Sequence, residues 1–285
     1  MNAATMQNSG FEFSATYRNM DHPFKWQVSA NLSTLKNKVK SLGFTDEPYI
    51  EGDCITIVGE EVGQFYGYVY EGIARTQADL DDHATQLNAN VGDCLYKDVN
   101  EDGVINADDR VVLGSGMPKV NFGLSAHFEY KHFDLSISTF GALNYHVTDG
   151  LYNVLRSSYG ILNRGVEVLD ANRWSADGLT YISNAPRTYY AANGENWNDK
   201  FSDRYIQNAA YWKIANIELG YNFPDKWFKG VVSGARIYVS AQNLHTFTKY
   251  KGYNVDFAGA PFQPGNNWCS YPSARSFMAG VLFSF

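Results

Sequence analysis

The chain has 285 residues, a formal net charge of -7 and a mean hydropathy of -0.34, with 20 Tyr and 18 Phe. This acidic balance excludes the basic footprint of a nucleic-acid binder. No apolar run approaches the roughly 18 residues of a membrane-spanning helix, so the chain is either soluble or crosses a membrane with strands. Aromatic residues at 15% suit the girdles of a membrane β-barrel. Met1 to Thr5 show neither a basic n-region nor an apolar h-region, so no signal peptide is visible. An exported form is then expected to be a mature piece or a fragment.

The first element runs from Gly10 to Asn19. Phe11, Phe13, Ala15 and Tyr17 alternate with Glu12, Ser14, Thr16 and Arg18, the period-two pattern of a strand with one apolar and one polar face. Asn19 to Pro23 form a turn. The partner strand runs from Phe24 to about Leu35, with Trp26, Val28, Ala30 and Leu32 opposing Lys25, Gln27, Ser29, Asn31 and Ser33. Lys36 to Lys40 form a basic strand end.

Residues 44–118 read as one large acidic excursion. Between Asp46 and Asp109 stand 16 acidic residues against only Arg75 and Lys97. This is a solvated, cation-binding stretch or, more simply, a soluble loop. Tyr49 to Val58 and Phe65 to Ile73 are weaker strand candidates, and Asp79 to Leu87 is a candidate short helix. Three Cys without metal spacing occur in the chain. Cys54 and Cys94 lie in this excursion, where an oxidising compartment would allow them to pair; free thiols are the equal alternative.

Residues 98–109 follow a calcium-loop grammar. Calcium takes oxygen ligands from alternate positions, a Gly makes the sharp turn, and a backbone carbonyl donates at position seven. The expected ligands are Asp98, Asn100, Asp102, the carbonyl of Val104, Asn106 and Asp109, with Gly103 at the turn. The last ligand is Asp where the strict pattern has Glu, and no clear helix pair flanks the loop. An Asx-rich turn is the plain alternative.

Val120 to Leu143 is the longest hairpin. Val120, Phe122, Leu124, Ala126, Phe128 and Tyr130 face one way, and Asn121, Gly123, Ser125, His127 and Glu129 the other. After a turn at Tyr130 to His132, Phe133, Leu135 and Ile137 oppose Asp134, Ser136 and Ser138. Ordinary strands run roughly 5–6 residues, whereas tilted membrane strands need about 9–11. Phe122, Leu124, Phe128, Leu135 and Ile137 are expected to face outward, with Ser125, His127 and Ser136 inside. A soluble sandwich with one dry face is the alternative for this hairpin alone.

Residues 144–205 form a long loop with a short helix expected over Gly150 to Arg156. Long loops are commonly functional, and its aromatics Trp174, Tyr181, Tyr189, Tyr190 and Trp197 stand among Gly, Asn, Pro and Asp. Trp174, Tyr189, Tyr190 and Trp197, with Trp268 further on, are candidate substrate contacts; packing within the loop is the bland reading. Strands resume at Ala210 to Phe223 and Ala235 to Asn243, around a turn at Pro224 to Lys226. A Gly- and Pro-rich loop from Tyr250 to Pro272 leads to a last strand, Ser273 to Phe285. Its apolar face is Phe277, Ala279, Val281, Phe283 and Phe285.

Short turns therefore sit at one end of the strands and long loops at the other. That asymmetry belongs to outer-membrane barrels, and the fold expected is all-β, a partial antiparallel transmembrane β-barrel. Enzyme motifs are missing: the six His are scattered, and no H-E-x-x-H, G-x-S-x-G or Walker pattern occurs.

Several stretches carry a family resemblance: residues 6–12, 63–68 with Gly72 and Ile73, 97–103 with Asp109, Arg110 and Gly114, and 172–174 with Pro186 and Arg187. Residues 214–221 and, most specifically, 240–244 with 250–253 continue the series. With the terminal Phe, the chain resembles the C-terminal part of a SusC/RagA-type TonB-dependent outer-membrane transporter. The resemblance implies a barrel of about 22 strands with a plugged lumen. It also implies import of glycans or peptides with a SusD-like surface lipoprotein, energy through TonB, and a Bacteroidetes-like outer membrane. Phe277, Val281, Phe283 and Phe285 are similar to the signal read by the barrel-insertion machinery. The chain departs in showing no plug domain and no TonB box, and in Tyr253-Asn254, where an acidic residue followed by Pro and Glu is expected. A secreted calcium-binding β-rich adhesion or scaffold module is the alternative function.

Overall fold

The structure, a computed structural model, describes residues 4–43, 45–156, 186–187, 197–228 and 232–285. The first hairpin is doubled along its length: β1 (Thr5–Ser9) and β2 (Glu12–Asn19) run against β3 (Phe24–Thr34) and β4 (Lys36–Ser41). The acidic excursion carries β5 (Tyr49–Glu51), β6 (Cys54–Thr56), β7 (Gln64–Gly67), β8 (Tyr70–Ile73), α1 (Gln77–Asp81), β9 (Thr85–Gln86), β10 (Cys94–Tyr96), β11 (Val104–Ile105) and β12 (Val111–Ser115). Then come β13 (Val120–Tyr130) and β14 (Phe133–Leu143), followed by β15 (His146–Asp149), α2 (Gly150–Arg156) and β16 (Ile206–Asn208). The chain ends with β17 (Tyr211–Asn222), β18 (Gly234–Thr248), β19 (Asn266–Asn267) and β20 (Ser276–Ser284).

Seven strands form one antiparallel sheet in the order β2-β3-β13-β14-β17-β18-β20. Each is hydrogen-bonded to the next sheet strand along the chain, so the wall is a meander whose connections alternate between short turns and long excursions. Its register decides what kind of wall it is. Tyr17, Val28, Ala126, Ile137, Ile217, Ala241 and Phe277 are successive cross-strand partners, so one row of apolar residues crosses all seven strands. The adjacent row is Thr16, Ser29, Ser125, Ser138, Asn216, Gln242 and Ser276, polar at every step. Neighbouring rows point to opposite faces. One face is apolar and the other polar along these rows, although Phe140, Met278 and Leu282 also fall on the polar face.

Among the described residues no second layer covers the apolar face. Tyr17 and Phe277, at the ends of the apolar row, are 63% and 70% exposed. The two clusters of buried hydrophobics lie in the excursions or at the loop ends of strands. One holds Ala142, Tyr145, Val147, Ala209, Tyr211, Tyr250 and Val255; the other holds Tyr68, Cys94, Tyr96, Ile105 and Trp197. A soluble sandwich would bury its apolar face against a second layer, and this sheet does not. No helix among the described residues is long and apolar enough to cross a membrane.

Aromatic pairs mark the two ends of the apolar face. Near the short turns, Phe133 and Tyr221 meet edge-on at 4.9 Å between ring centroids, and Phe24 stacks on Phe128 at 6.0 Å. At the loop end, Trp212 stacks on Phe247 at 5.3 Å. Trp212 and Tyr221 are nine residues apart on β17, roughly 30 Å along a strand. Tilted by about 40°, that distance projects onto a band of about 25 Å, the height of a barrel's lipid-facing belt.

Local departures from the sequence expectations have local causes. The helix expected over Asp79 to Leu87 is α1, begun earlier by a capping box. The Thr76 hydroxyl accepts from the Asp79 backbone N–H at 3.2 Å, and the Asp79 carboxylate accepts from the Thr76 N–H at 2.9 Å. The strand expected over Tyr49 to Val58 is a tight hairpin, reversed at Gly52 with φ +60°. The one expected over Phe65 to Ile73 splits because the Tyr68 N–H leaves the ladder and donates to the Phe201 carbonyl. Cys54 and Cys94 stand in separate sheets as free thiols. Burial pushes the Cys54 thiol up to about 12 and that of Cys94 to about 11, so both are protonated and unreactive at neutral pH.

Candidate functional site

The polar face carries a charged constellation near the short-turn end. Arg236 on β18 donates from Nε and Nη2 to Asp134 on β14 at 3.1 and 2.5 Å, and from Nη2 to Glu218 on β17 at 2.8 Å. Asn222 adds a bond to Asp134 at 2.8 Å. This fork spans three strands because Gly220 lies between them: a Cβ there would strike both the guanidinium and the Asp134 carboxylate. Beside it His127 contacts Ser136 at 2.9 Å and Glu129 at 3.1 Å, and Lys25 approaches Glu129 at 3.6 Å. These groups border a polar recess of about 460 Å3, with Ser125, His127 and Ser136 on the inner face as the alternation predicts.

At the opposite end the last loop folds back over the inner face. Lys213, buried on β17, pairs with Asp256 at 3.3 Å, and the Tyr145 hydroxyl donates to the Val255 carbonyl at 3.1 Å. Asn267 donates to the Tyr250 hydroxyl at 2.9 Å. The loop is thus packed against the wall. Tyr253 and Tyr271, exposed at 69% and 87%, remain on its outer side.

The loop of residues 98–109 is closed by its own side chains. The carboxylate of Asp98 accepts from the Gly103 N–H at 2.7 Å, Asn100 accepts from Asp102 N–H at 3.0 Å, and Asp102 accepts from Val104 N–H at 2.8 Å. Asn106 accepts from the Asp108 N–H at 2.7 Å. Asp109 is fully buried, and its two oxygens take the N–H groups of Val99 at 2.9 Å and Asn106 at 2.8 Å. Burial pushes its pKa up, but the backbone N–H bonds outweigh that and hold it below the ordinary 3.8. Its contribution to loop stability is therefore full above the unfolded value and is lost as pH falls through the depressed one. Among the described residues no three carboxylate, His or Cys side chains converge as a ready metal cluster. One oxygen, Oδ1 of Asp98, is buried without a hydrogen-bond partner.

The candidate substrate aromatics divide. Trp174, Tyr189 and Tyr190 lie outside the described residues. Trp197 is buried: its indole N–H donates to the Leu87 carbonyl at 2.6 Å and its ring packs on Tyr68 and Tyr96. It holds two excursions together, as does Arg187 through two bonds to Asp93 at 2.6 and 2.8 Å. Trp268 is 67% exposed and lies over Gly150 at the start of α2. It borders a cleft of about 380 Å3 with residues from three excursions. Asp53 and Phe201, on the same cleft, carried no sequence signal; only long-range packing brings them there.

No protein-family model matches the chain. A TonB-dependent receptor of Formosa agariphila is 30% identical over 308 residues, covering 100% of this chain and 30% of its own length. The TonB-dependent receptor SusC of Bacteroides thetaiotaomicron is 27% identical over 295 residues, covering 100% of this chain and 27% of SusC. The structure of the RagAB peptide transporter superposes on 99% of this chain and 29% of its own chain, with a TM-score of 0.78 at 23% identity. Over its whole length the chain is similar to SusC-type TonB-dependent receptors, and its fold is that of the RagAB transporter barrel. It spans about 30% of the length of the curated relatives it matches. In such a barrel the apolar face looks to lipid, the Arg236 constellation looks into the lumen, and the excursions crown one rim. Phe277, Val281 and Phe283 sit on the lipid face of β20, and Phe285 ends the chain 91% exposed.

Proposed function

We propose that this chain forms a section of the wall, lumen lining and outer loops of an outer-membrane importer for glycans or oligopeptides. It works with a SusD-like surface lipoprotein and is energised through the TonB complex. The observation that carries the reading is the seven-strand register, with an unbroken apolar row beside an unbroken polar one and, among the described residues, no second layer over the apolar face. Closing such a wall takes strands beyond these seven, and a partial barrel conducts nothing alone. Catalysis forms no part of the reading. Phe277, Val281, Phe283 and Phe285 are proposed as the contact for the barrel-insertion machinery. The test is an immunoblot of the host's outer-membrane fraction with an antibody to residues 144–205. The expected result is a membrane band well above 32.0 kDa; a band confined to the soluble fractions overturns the reading.

We also propose that residues 98–109 hold a calcium ion. The unpartnered Asp98 Oδ1 is a ready ligand, joined by Asn100, Asp102, the Val104 carbonyl and Asn106. Asp109, already saturated by backbone N–H groups, ties the loop's two ends together and gives calcium at most a weak sixth contact. A site with so few free carboxylates falls in the weak extracellular class, with Kd of roughly 10⁻⁴–10⁻³ M. Calorimetric titration with calcium is expected to give a constant in that range, lost in Asp98→Ala. A flat titration of the unsubstituted protein excludes the site.

A further inference from the structure

We propose that Lys36, Lys38 and Lys40 form a site on the outward face of the wall for the phosphate group of an anionic membrane lipid. The inference rests on the membrane reading and names the headgroup that the wall selects at its loop-side rim. The three lysines are placed by register. Ser33 pairs with Glu12 and Lys36 with Ser9, and between these pairs the Thr34 N–H donates to the Phe11 carbonyl at 2.8 Å. The pairing thus runs without a slip from β2–β3 into β1–β4, and alternate residues keep their sides. Lys36, Lys38 and Lys40 therefore continue the face of Val28, Ala30 and Leu32, the apolar one, and all three are exposed. Asn37 and Val39 point the other way and are buried. The Asn37 amide oxygen accepts from the Val62 N–H at 2.9 Å, and the Val39 N–H donates to the Glu60 carbonyl at 2.8 Å. The acidic excursion holds β4 from the inner side and leaves its lysine side open.

Height along the strand selects the ligand. β3 has 11 residues from Phe24, by the short turn, to Thr34, about 33 Å of strand. Tilted by about 40°, it spans the roughly 25 Å of a lipid-facing belt. Lys36 stands just past the end of that belt, where headgroups replace hydrocarbon. Phe11, 85% exposed, is the last apolar side chain before the lysines on the neighbouring strand. Lysines two residues apart in a strand lie roughly 7 Å from each other, close enough for their long side chains to converge on one phosphate. The four carboxylates of the seven wall strands, Glu12, Glu129, Asp134 and Glu218, all fall on the inner face. Asp46, beside the end of β4, is held by the Ser41 hydroxyl at 3.0 Å and the Leu42 N–H at 2.8 Å. Among the described residues none of the three lysines forms an ion pair. Lysines on an open sheet edge often serve only to block edge pairing, but β4 has β1 on one side and the Gly59–Glu60 backbone on the other. β18 repeats the order at its loop end: Phe247, stacked on Trp212, is followed by Lys249, and the two border a recess of about 680 Å3 with His245. A soluble anionic polymer is the competing occupant. The change from apolar to basic within a few residues of one face favours a lipid, which brings acyl chain and phosphate together.

The test is electron spin resonance of the full chain reconstituted in phosphatidylcholine vesicles, with trace spin-labelled phosphatidic acid or spin-labelled phosphatidylcholine. Lipid in contact with the wall gives a motionally restricted signal, and its size gives the relative affinity of each lipid. Phosphatidic acid is expected to be favoured by at least about fivefold, roughly the factor that one basic residue contributes at an anionic membrane surface. The preference is expected to vanish in Lys38→Glu, and also at about 0.5 M salt, where screening shortens to roughly 4 Å. Lys36→Gln combined with Lys40→Gln is expected to weaken it by about half or more. Lys38→Arg keeps the charge and is expected to keep the preference, as is Lys97→Glu, the same change in net charge placed away from the stripe. A restricted signal with equal affinity for the two lipids overturns the proposal and leaves the membrane reading standing. So does a preference unmoved by the stripe substitutions, or one lost equally in Lys97→Glu. The absence of any restricted signal, even from phosphatidylcholine, overturns the membrane reading and the proposal with it.

Discussion

Ile137→Arg is expected to destabilise the membrane-assembled protein by about 2–4 kcal/mol, the measured cost of a cation at mid-depth on a barrel's lipid face. Ile137 sits at the centre of β14, between Ala126 and Ile217 in the apolar row. An arginine there must leave water for hydrocarbon or distort the wall to reach the surface. Ser138→Arg, one residue on, is the control. Its side chain joins the polar row with Ser125 and Asn216, where water and hydrogen-bonding groups surround it, and its effect is expected to stay within about 0.5 kcal/mol. Urea unfolding in phospholipid vesicles, followed by the mobility difference between folded and heated protein, reads both. The contrast between neighbours is what discriminates. A sandwich core would also resist Ile137→Arg, but the protein would then fold in buffer without lipid. Equal effects at the two positions would remove the assignment of faces altogether.

The wall was legible in the sequence because a strand's faces are written in alternate residues. The alternation over Val120 to Leu143 implies its register, and the structure pairs Val120 with Leu143 and Tyr130 with Phe133. The excursions were less legible, for a physical reason. Their short strands are set by partners far away in the chain. The Tyr70 N–H is held by Asp203, and Cys94 N–H by Asn198, contacts spanning more than a hundred residues. No local pattern announces such a partner. The same limit explains the aromatics. Trp197 and Trp268 look alike as isolated letters among polar neighbours. One is clamped beneath Tyr96 and the other lies open over Gly150. The calcium-like loop falls between these cases. Its Asx pattern fixes its turns locally, whereas the burial of Asp109, which converts a candidate ligand into a fastener, is not written in that pattern.

Arg236→Ala carries the second large effect, an expected loss of about 2–3 kcal/mol. Removing one member of a buried pair typically costs 3–5 kcal/mol, because the other charge is left without compensation. The lower figure applies here because the fork is not sealed: the side chains of Arg236 and Asp134 are 22% and 10% exposed, and a lumen admits water. Glu218, at 29%, rehydrates more easily and contributes less. The penalty therefore resides mainly in Asp134, which among the described residues would keep Asn222 as its hydrogen-bond partner. Adding Asp134→Asn to Arg236→Ala is then expected to recover about half of the loss, since a neutral amide removes the stranded charge. Gly220→Ala is expected to behave like a milder Arg236→Ala, because its Cβ occupies the path the guanidinium takes across β17. A double-mutant cycle on Arg236 and Asp134, measured by the same vesicle unfolding, should give a coupling above about 1 kcal/mol. A coupling near zero would mean that water, and not the fork, holds the three strands' charges. The recess beside His127 would then be an open part of the channel and no longer a braced section of its wall.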